Sequence, residues 1–301
     1  MPSVNVQMPP ELALVHSYVT VAFDEGVDEA KDTDKINDLA DDVFPDDKTG
    51  IFGMIARDVA FFAEKGSLAP DFEPTVYQYL VEVEPAVFRI KINEDEIEDD
   101  KYGAKVQYSK QAGMEAAKRR SWLLRYGILS GLTKLTYDGK AFFATDHAVD
   151  PNDATKGTYS NKLSLALTPD NFRTAKAAMR KFADESGRAR NNTPSHLIVP
   201  PELESKAREI VALPTVSNGG ANPDYDPECI IVVVPELAST EWIVAAARGP
   251  QKPWGYFLRS PAKIRYEGTD NSAIRTDHIW KARVRDALAF LRPYKAIYSK
   301  P

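Results

Sequence analysis

The order of apolar and polar positions divides the chain into stretches of different period. Residues 24–47 are dense in acids and hold only scattered apolar positions (Ile36, Leu39, Val43, Phe44), enough for one short amphipathic helix. So charged a segment orders poorly without a partner, and residues 1–50 read as an arm rather than a core element. Residues 51–65 then turn apolar through Ile51, Phe52, Met54, Ile55, Val59, Phe61 and Phe62. From Thr75 to Val106 the pattern is strand-like, with alternation in Val81-Glu82-Val83-Glu84 and in Phe88-Arg89-Ile90-Lys91-Ile92. Pro85 and the acidic cluster Asn93 to Asp100 interrupt it, which predicts a projecting hairpin with too little core of its own.

The period then changes to that of a helix. Met114, Ala117, Leu124, Ile128 and Leu132 recur at spacings of three, four or seven, predicting one long helix over 107–132. Lys110, Lys118, Arg119, Arg120 and Arg125 make it basic, and Gly113, Gly127 and Gly131 weaken it. After a turn at Tyr137-Asp138-Gly139-Lys140 and a polar loop near 148–162, an α/β pattern begins. Thr168 caps a helix with Pro169 in its first turn, Phe172, Ala175, Met179 and Phe182 line one face, and Gly187 supplies the stop. His196–Val199 reads as a short strand, and Pro201 opens a second helix through about Val211. Ile230–Val234 is apolar on both faces, as in a central buried strand; Trp242–Ala245 is another strand. Ile279 to Tyr298 reads as long strands around Arg292-Pro293, with no internal repeat anywhere.

Charge changes this picture more than composition does. Residues 1–100 hold 24 acids against 7 bases, net −17, while the remainder holds 20 acids against 31 bases, net +11. An acidic front and a basic back attract each other within a molecule or between copies. The single cysteine, Cys229, forms no internal disulfide and beside its aliphatic run reads as a small buried hydrophobe, which fits a reducing compartment. No run of about 18 apolar residues predicts a membrane span, and Met1-Pro2-Ser3-Val4-Asn5 has neither the basic start nor the apolar core of a signal peptide.

Signatures of catalysis are sparse. Two of the four histidines stand in the same tripeptide, Thr145-Asp146-His147 and Thr276-Asp277-His278, where a carboxylate could orient an imidazole. No His-Glu-x-x-His or clustered Cys/His spacing accompanies them. Calcium loops begun at Asp32 or Asn93 place Ile36 or Ile97 where an oxygen is needed, and Asn37 or Glu98 where glycine is needed. There is no Gly-x-Ser-x-Gly elbow, no dinucleotide glycine pattern, and no phosphate loop, since Lys134 and Ala141 stand where Gly and Ser or Thr belong around Gly139-Lys140. The basic helix lacks interleaved aromatics, so it reads as a non-specific phosphate contact or a partner for another subunit's acidic arm. The expectation is a protein that is not an enzyme, with no catalytic residue, metal or cofactor.

Three stretches in order resemble the Mu-like phage major head subunit family. They are Ile97–Gly103, then Tyr137–His147, then Ser160-Asn161 with Ala177-Ala178-Met179, Gly187, Leu197–Glu204 and Ala207. Lys281-Ala282-Arg283 to Ala296–Ser299 is similar to the family's closing strands, so the resemblance covers roughly 90–301. It implies an α+β tailed-phage major capsid fold: an N-terminal arm at 1–50, an extended loop and flanking strands at 51–106, a peripheral domain with its spine helix at 107–162, an axial domain at 163–262 and closing strands at 263–301. It also implies pentamers and hexamers of an icosahedral head enclosing double-stranded DNA. Scaffold and portal proteins, head-completion or decoration proteins, and non-specific contact with packaged DNA are the implied partners, with assembly in the host cytoplasm. Asp41, Asp42, Asp46, Asp47, Glu98, Asp99, Asp100, Lys118, Arg119 and Arg120 are the candidate inter-subunit contacts. The alternatives are an encapsulin-like shell and, in another class, a metal-dependent hydrolase using Asp146-His147 and Asp277-His278.

Overall fold

The computed structural model describes residues 10–30, 33–45, 49–55, 76–99, 101–215, 219–249, 251–271 and 276–301, with the backbone alone at 49–55, 76–78 and 271. Its helices are α1 (Pro10–Glu29), α2 (Glu94–Glu98), α3 (Gly103–Ala117), α4 (Arg119–Ser130), α5 (Pro169–Lys181) and α6 (Glu204–Ala207). Its strands are β1 (Ala40–Val43), β2 (Thr49–Ile55), β3 (Val76–Glu82), β4 (Glu84–Asn93), β5 (His147–Ala148), β6 (Thr158–Tyr159), β7 (Lys162–Leu163), β8 (His196–Val199), β9 (Ile230–Val233), β10 (Trp242–Ala245), β11 (Trp254–Asn271), β12 (Thr276–Phe290) and β13 (Ala296–Ser299). They fall into two compact units. The first comprises Met1–Asp34, Val83–Trp122 and Leu258–Ala287, and the second comprises Lys35–Glu82, Leu123–Phe257 and Leu288–Pro301.

The first unit is a helix layer on a sheet. β4 pairs antiparallel with β12 from Asn93↔Asp277 to Glu84↔Asp286, and β11 flanks β12 on its other side. Strand side chains alternate between faces, so Ile90, Ile92, Ile264, Trp280 and Ala282 share one face. They meet Leu12, Val15, Val19 and Phe23 of α1, spaced for a single helical stripe. Burying each such side chain contributes about 1.5–3 kcal/mol. α1 crosses α3 at close range: a Cβ on Gly26 would lie 2.1 Å from the Lys110 carbonyl oxygen, and one on Gly113 would lie 2.1 Å from that of Phe23. Ser109 Oγ donates to the Val19 carbonyl at 2.7 Å beside this crossing.

The long helix expected over 107–132 is α3 and α4, interrupted at Lys118. Lys118 N–H still bonds the Met114 carbonyl at 3.3 Å and Trp122 N–H the Lys118 carbonyl at 3.1 Å, so the break is a single residue. The expected hairpin across 75–106 is also different. β3 pairs with β2, from Thr49↔Glu82 to Ile55↔Val76, while β4 leaves to pair with β12. Alternation identifies strands but not their partners, and β4 finds its partner 184 to 202 residues away along the chain.

The second unit is α/β, with a five-stranded sheet in the order β7-β13-β10-β8-β9. Thr168 Oγ1 accepts the Asn171 N–H at 3.2 Å, and Phe172, Ala175 and Met179 of α5 bury against Leu197, Val199, Trp242, Val244 and Ile297. The centre is β10, buried at all four residues. β9, expected to be central, is an edge strand with only Val232 fully buried. Gly187 does not stop α5, which ends at Lys181; it takes φ +79° in a turn where its N–H bonds the Asp184 carbonyl at 2.9 Å. β13 belongs to this sheet, pairing with β10 and β7, so the stretch expected as peripheral closing strands over 263–301 ends here.

Candidate functional site: assembly surfaces

The ten residues singled out as contacts fall into three groups. Asp46, Asp47 and Asp100 lie outside the described residues. Asp42, Glu98, Asp99 and Lys118 are exposed; Asp99 pairs with Lys101 at 2.8 Å. Asp41 and Arg119 are turned inward instead. Asp41 Oδ2 accepts Arg292 Nη1 at 2.7 Å and the Lys252 N–H at 3.0 Å. Arg119 Nε donates to both oxygens of Asp286, at 2.9 and 2.7 Å, and the Asp286 side chain is fully buried. Both are internal clamps, because a carboxylate held in so little water needs a cation of its own. Arg120 is half-buried.

Apolar rows are a second exposed feature beside these charges. α4 presents Trp122 (58 % exposed), Tyr126 and Leu129 at spacings of four and three. This row is offset by about two residues from the buried Leu124 and Ile128. α1 carries a similar row, Leu14, Tyr18 and Val21, about a third of a turn around from its buried stripe. Helices apolar on two faces mark protein–protein surfaces. The period of Met114, Ala117, Leu124 and Ile128 marks only one face of the α3–α4 stretch. α1 is not among the elements expected from sequence: residues 1–50 read as an arm, whereas Pro10–Glu29 is a helix with a buried stripe.

The imidazoles are committed to internal structure. His147 Nδ1 contacts Asp138 Oδ2 at 2.6 Å, with both side chains buried, and Nε2 faces the Phe142 carbonyl at 3.2 Å. Burial pushes the Asp138 carboxyl up, but hydrogen bonds from His147, Thr136 and Lys140 outweigh it and hold the group below the usual range. Asp146, its neighbour in the tripeptide, pairs instead with Lys140 at 2.5 Å. His278 Nδ1 meets Tyr266 Oη at 2.9 Å, and His16 Nδ1 accepts Trp280 Nε1–H at 3.0 Å. Asn161, buried, donates to the Phe142 and Pro293 carbonyls and accepts from Ala144 N–H. The Cys229 thiol is pushed up to about 12 by burial, then by Asp226. Among the described residues no group of three or more His, Cys, Asp or Glu side chains could hold a metal ion, and no helix is long and apolar enough to cross a membrane.

The fold is that of viral shell subunits. The chain is similar to the procapsid of bacteriophage JBD30, at 14 % identity over 98 % of this chain and 76 % of that one, with TM-score 0.53. It is similar to the capsid of the cyanophage P-SCSP1u (14 % identity, 89 % and 88 % covered, TM-score 0.55). A virus-like particle from Pyrococcus furiosus shares the architecture at 13 % identity, over 95 % and 99 % of the chains, with TM-score 0.53. No curated protein matches the chain. A family model described as phage capsid protein matches residues 78–299, and the chain belongs to that family. It is a structural shell subunit and a component of the virion capsid.

Proposed function

We propose that this subunit assembles into pentamers and hexamers that close an icosahedral head around double-stranded DNA, and that within its family it is a Mu-like head subunit. The observation that carries the shell reading is the family match over 78–299; the Mu-like reading rests on the resemblance of Ile97–Gly103, Tyr137–His147 and Leu197–Glu204. Support comes from the exposed rows on α1 and α4, because a closed shell repeats a few heterologous contacts around its axes. In this reading α3 and α4 form the spine helix, the β2–β3 hairpin begins the extended loop, and the five-stranded sheet is the heart of the axial domain. Scaffold and portal proteins act as assembly partners in the host cytoplasm, head-completion or decoration proteins join the finished shell, and packaged DNA meets basic side chains non-specifically. Of the contacts expected from sequence, Asp42, Asp46, Asp47, Glu98, Asp99, Asp100, Lys118 and Arg120 are retained; Asp41 and Arg119 are assigned to holding the subunit together.

The test is negative-stain electron microscopy of the purified chain at low and high salt. Rings, sheets or closed shells that weaken with salt support the reading, since screening shortens the reach of exposed charges. A uniform monomer or dimer at high concentration contradicts it.

A further inference from the structure

In the first unit the sheet has two unlike faces. Ala262, Ile264 and Tyr266 of β11 and Trp280 and Ala282 of β12 look into the core, so the positions alternating with them along this stretch look away from it. On that outer face stand Arg259, Lys263 and Arg265 of β11 with Arg283 and Arg285 of β12. Among the described residues none of the five has a carboxylate partner. Arg283 and Arg285 stand two positions apart on β12, opposite Val87 and Pro85, and burial, then the charges of Arg259 and Arg283, push the Arg285 guanidinium below its ordinary value. Toward the far ends of the strands the cations of this face do have carboxylate partners. There Glu267 bridges Arg89 at 2.6 Å and Lys281 at 2.8 Å, and Asp270 takes Lys91 at 2.8 Å. Like charges on neighbouring strands repel, so folding leaves a group of unanswered cations at one place on a face whose other named cations are paired.

The same chain carries an unanswered acidic segment. Asn93 caps α2, and Glu96 returns the bond to the Asn93 N–H at 3.1 Å, fixing five residues of helix. Glu94, Asp95 and Glu98 are then exposed, and their carboxylates have no cationic partner among the described residues. Glu96 and Asp99, by contrast, face Lys105 and Lys101.

We propose that the outer face of the β4–β12–β11 sheet docks a second copy of this chain through that copy's acidic segment Glu94–Asp99. The inference rests on the shell-subunit reading above and names one of its contacts. Val87 lies directly opposite Arg283 and is 48 % exposed on this face, with Pro85 opposite Arg285. Apolar side chains set among arginines suit a polypeptide better than a phosphate backbone, which asks only for cations. Face and segment are different surfaces of one chain, so the contact is head-to-tail and propagates into rings. Complementary charge gives it register and a fast, salt-dependent encounter.

The test uses two variants of the full chain. One reverses the face (Lys263→Glu, Arg265→Glu, Arg283→Glu), and the other reverses the segment (Glu94→Lys, Asp95→Lys, Glu98→Lys). Each is expected to need at least roughly tenfold more protein to assemble than wild type, by light scattering at low salt, a change of about 1.4 kcal/mol. An equimolar mixture is expected to co-assemble, because each variant restores the opposite charge for the other. Circular dichroism and the unfolding midpoint establish that both are folded; if either is not, glutamine replaces the reversed residues and the single-variant arm is read alone. A face variant that assembles like wild type overturns the proposal. So does a mixture that stays as inert as its parts. A face variant that assembles normally but loses retention on duplex DNA assigns the face to nucleic acid and likewise overturns it. A wild-type chain that never assembles removes the shell reading itself, whereas failure of the variants' pairing beside a normal wild type removes only this contact.

Discussion

Gly26 and Gly113 face across the α1–α3 crossing, each with its missing Cβ directed at a backbone carbonyl of the other helix, 2.1 Å away. On an isolated helix alanine in place of glycine would add about 1 kcal/mol of stability. At this crossing the methyl has nowhere to go, because the obstructing atoms are backbone. Gly113→Ala is therefore expected to lower stability by about 1–3 kcal/mol, the cost of overpacking. Chemical denaturation of the purified chain reads it, and a variant as stable as wild type would mean that the helices are not so close.

Asp286 and Arg119 predict a second loss. Removing one partner of a buried ion pair costs about 3–5 kcal/mol. The Arg119 side chain is 25 % exposed, so water offsets part of this and Asp286→Ala should cost about 2 kcal/mol. Arg119→Ala should cost a similar amount, and the double variant less than the sum of the two. Additive losses in that cycle would show that the pair does not couple.

His196 makes stability depend on acid. Burial, opposed by Asp38 and reinforced by Arg248, Lys252 and Lys35, lowers its folded value to about 4. In the unfolded chain an imidazole titrates near 6.5, so protons bind the unfolded state first. Stability contributed by the neutral ring is complete above about 6.5 and is lost as pH falls to about 4. About 3 kcal/mol is at stake. Denaturant midpoints across that window should fall in wild type and flatten in His196→Gln; equal slopes would assign the acid loss to other groups.

Trp122 and Leu129 separate assembly from folding. Both are exposed on α4. Trp122→Gln with Leu129→Gln should leave the unfolding free energy within about 0.5 kcal/mol of wild type. The same change should raise the assembly threshold roughly tenfold. Light scattering against concentration measures the second, and an unchanged threshold would exclude the row from the shell contacts.

Local signals were legible in the sequence, and distant ones were not. Thr168 and Pro169 announce the start of α5 because cap chemistry is local. The strands β8, β9 and β10 are visible as apolar runs, but their order is set by partners that periodicity does not encode, and so β9 lies at an edge. Gly113 reads as a weak point of a helix when only its own helix is considered; the reason for it is a carbonyl of α1. The Asp-His tripeptides mislead for a similar cause. Adjacent residues in extended chain point to opposite sides, so His147 takes Asp138 and leaves Asp146 to Lys140. Among the candidate contacts, exposed acids could be read from the charge pattern, but the inward turn of Asp41 and Arg119 depends on Arg292 and Asp286, each more than 150 residues away.

The central claim is that the chain builds a shell, and sedimentation velocity of the purified wild-type protein at low salt tests it most directly. The account predicts discrete, fast particles of many 33.5 kDa subunits that dissociate toward the subunit as salt rises. A single monomeric or dimeric species at every concentration and salt would contradict it.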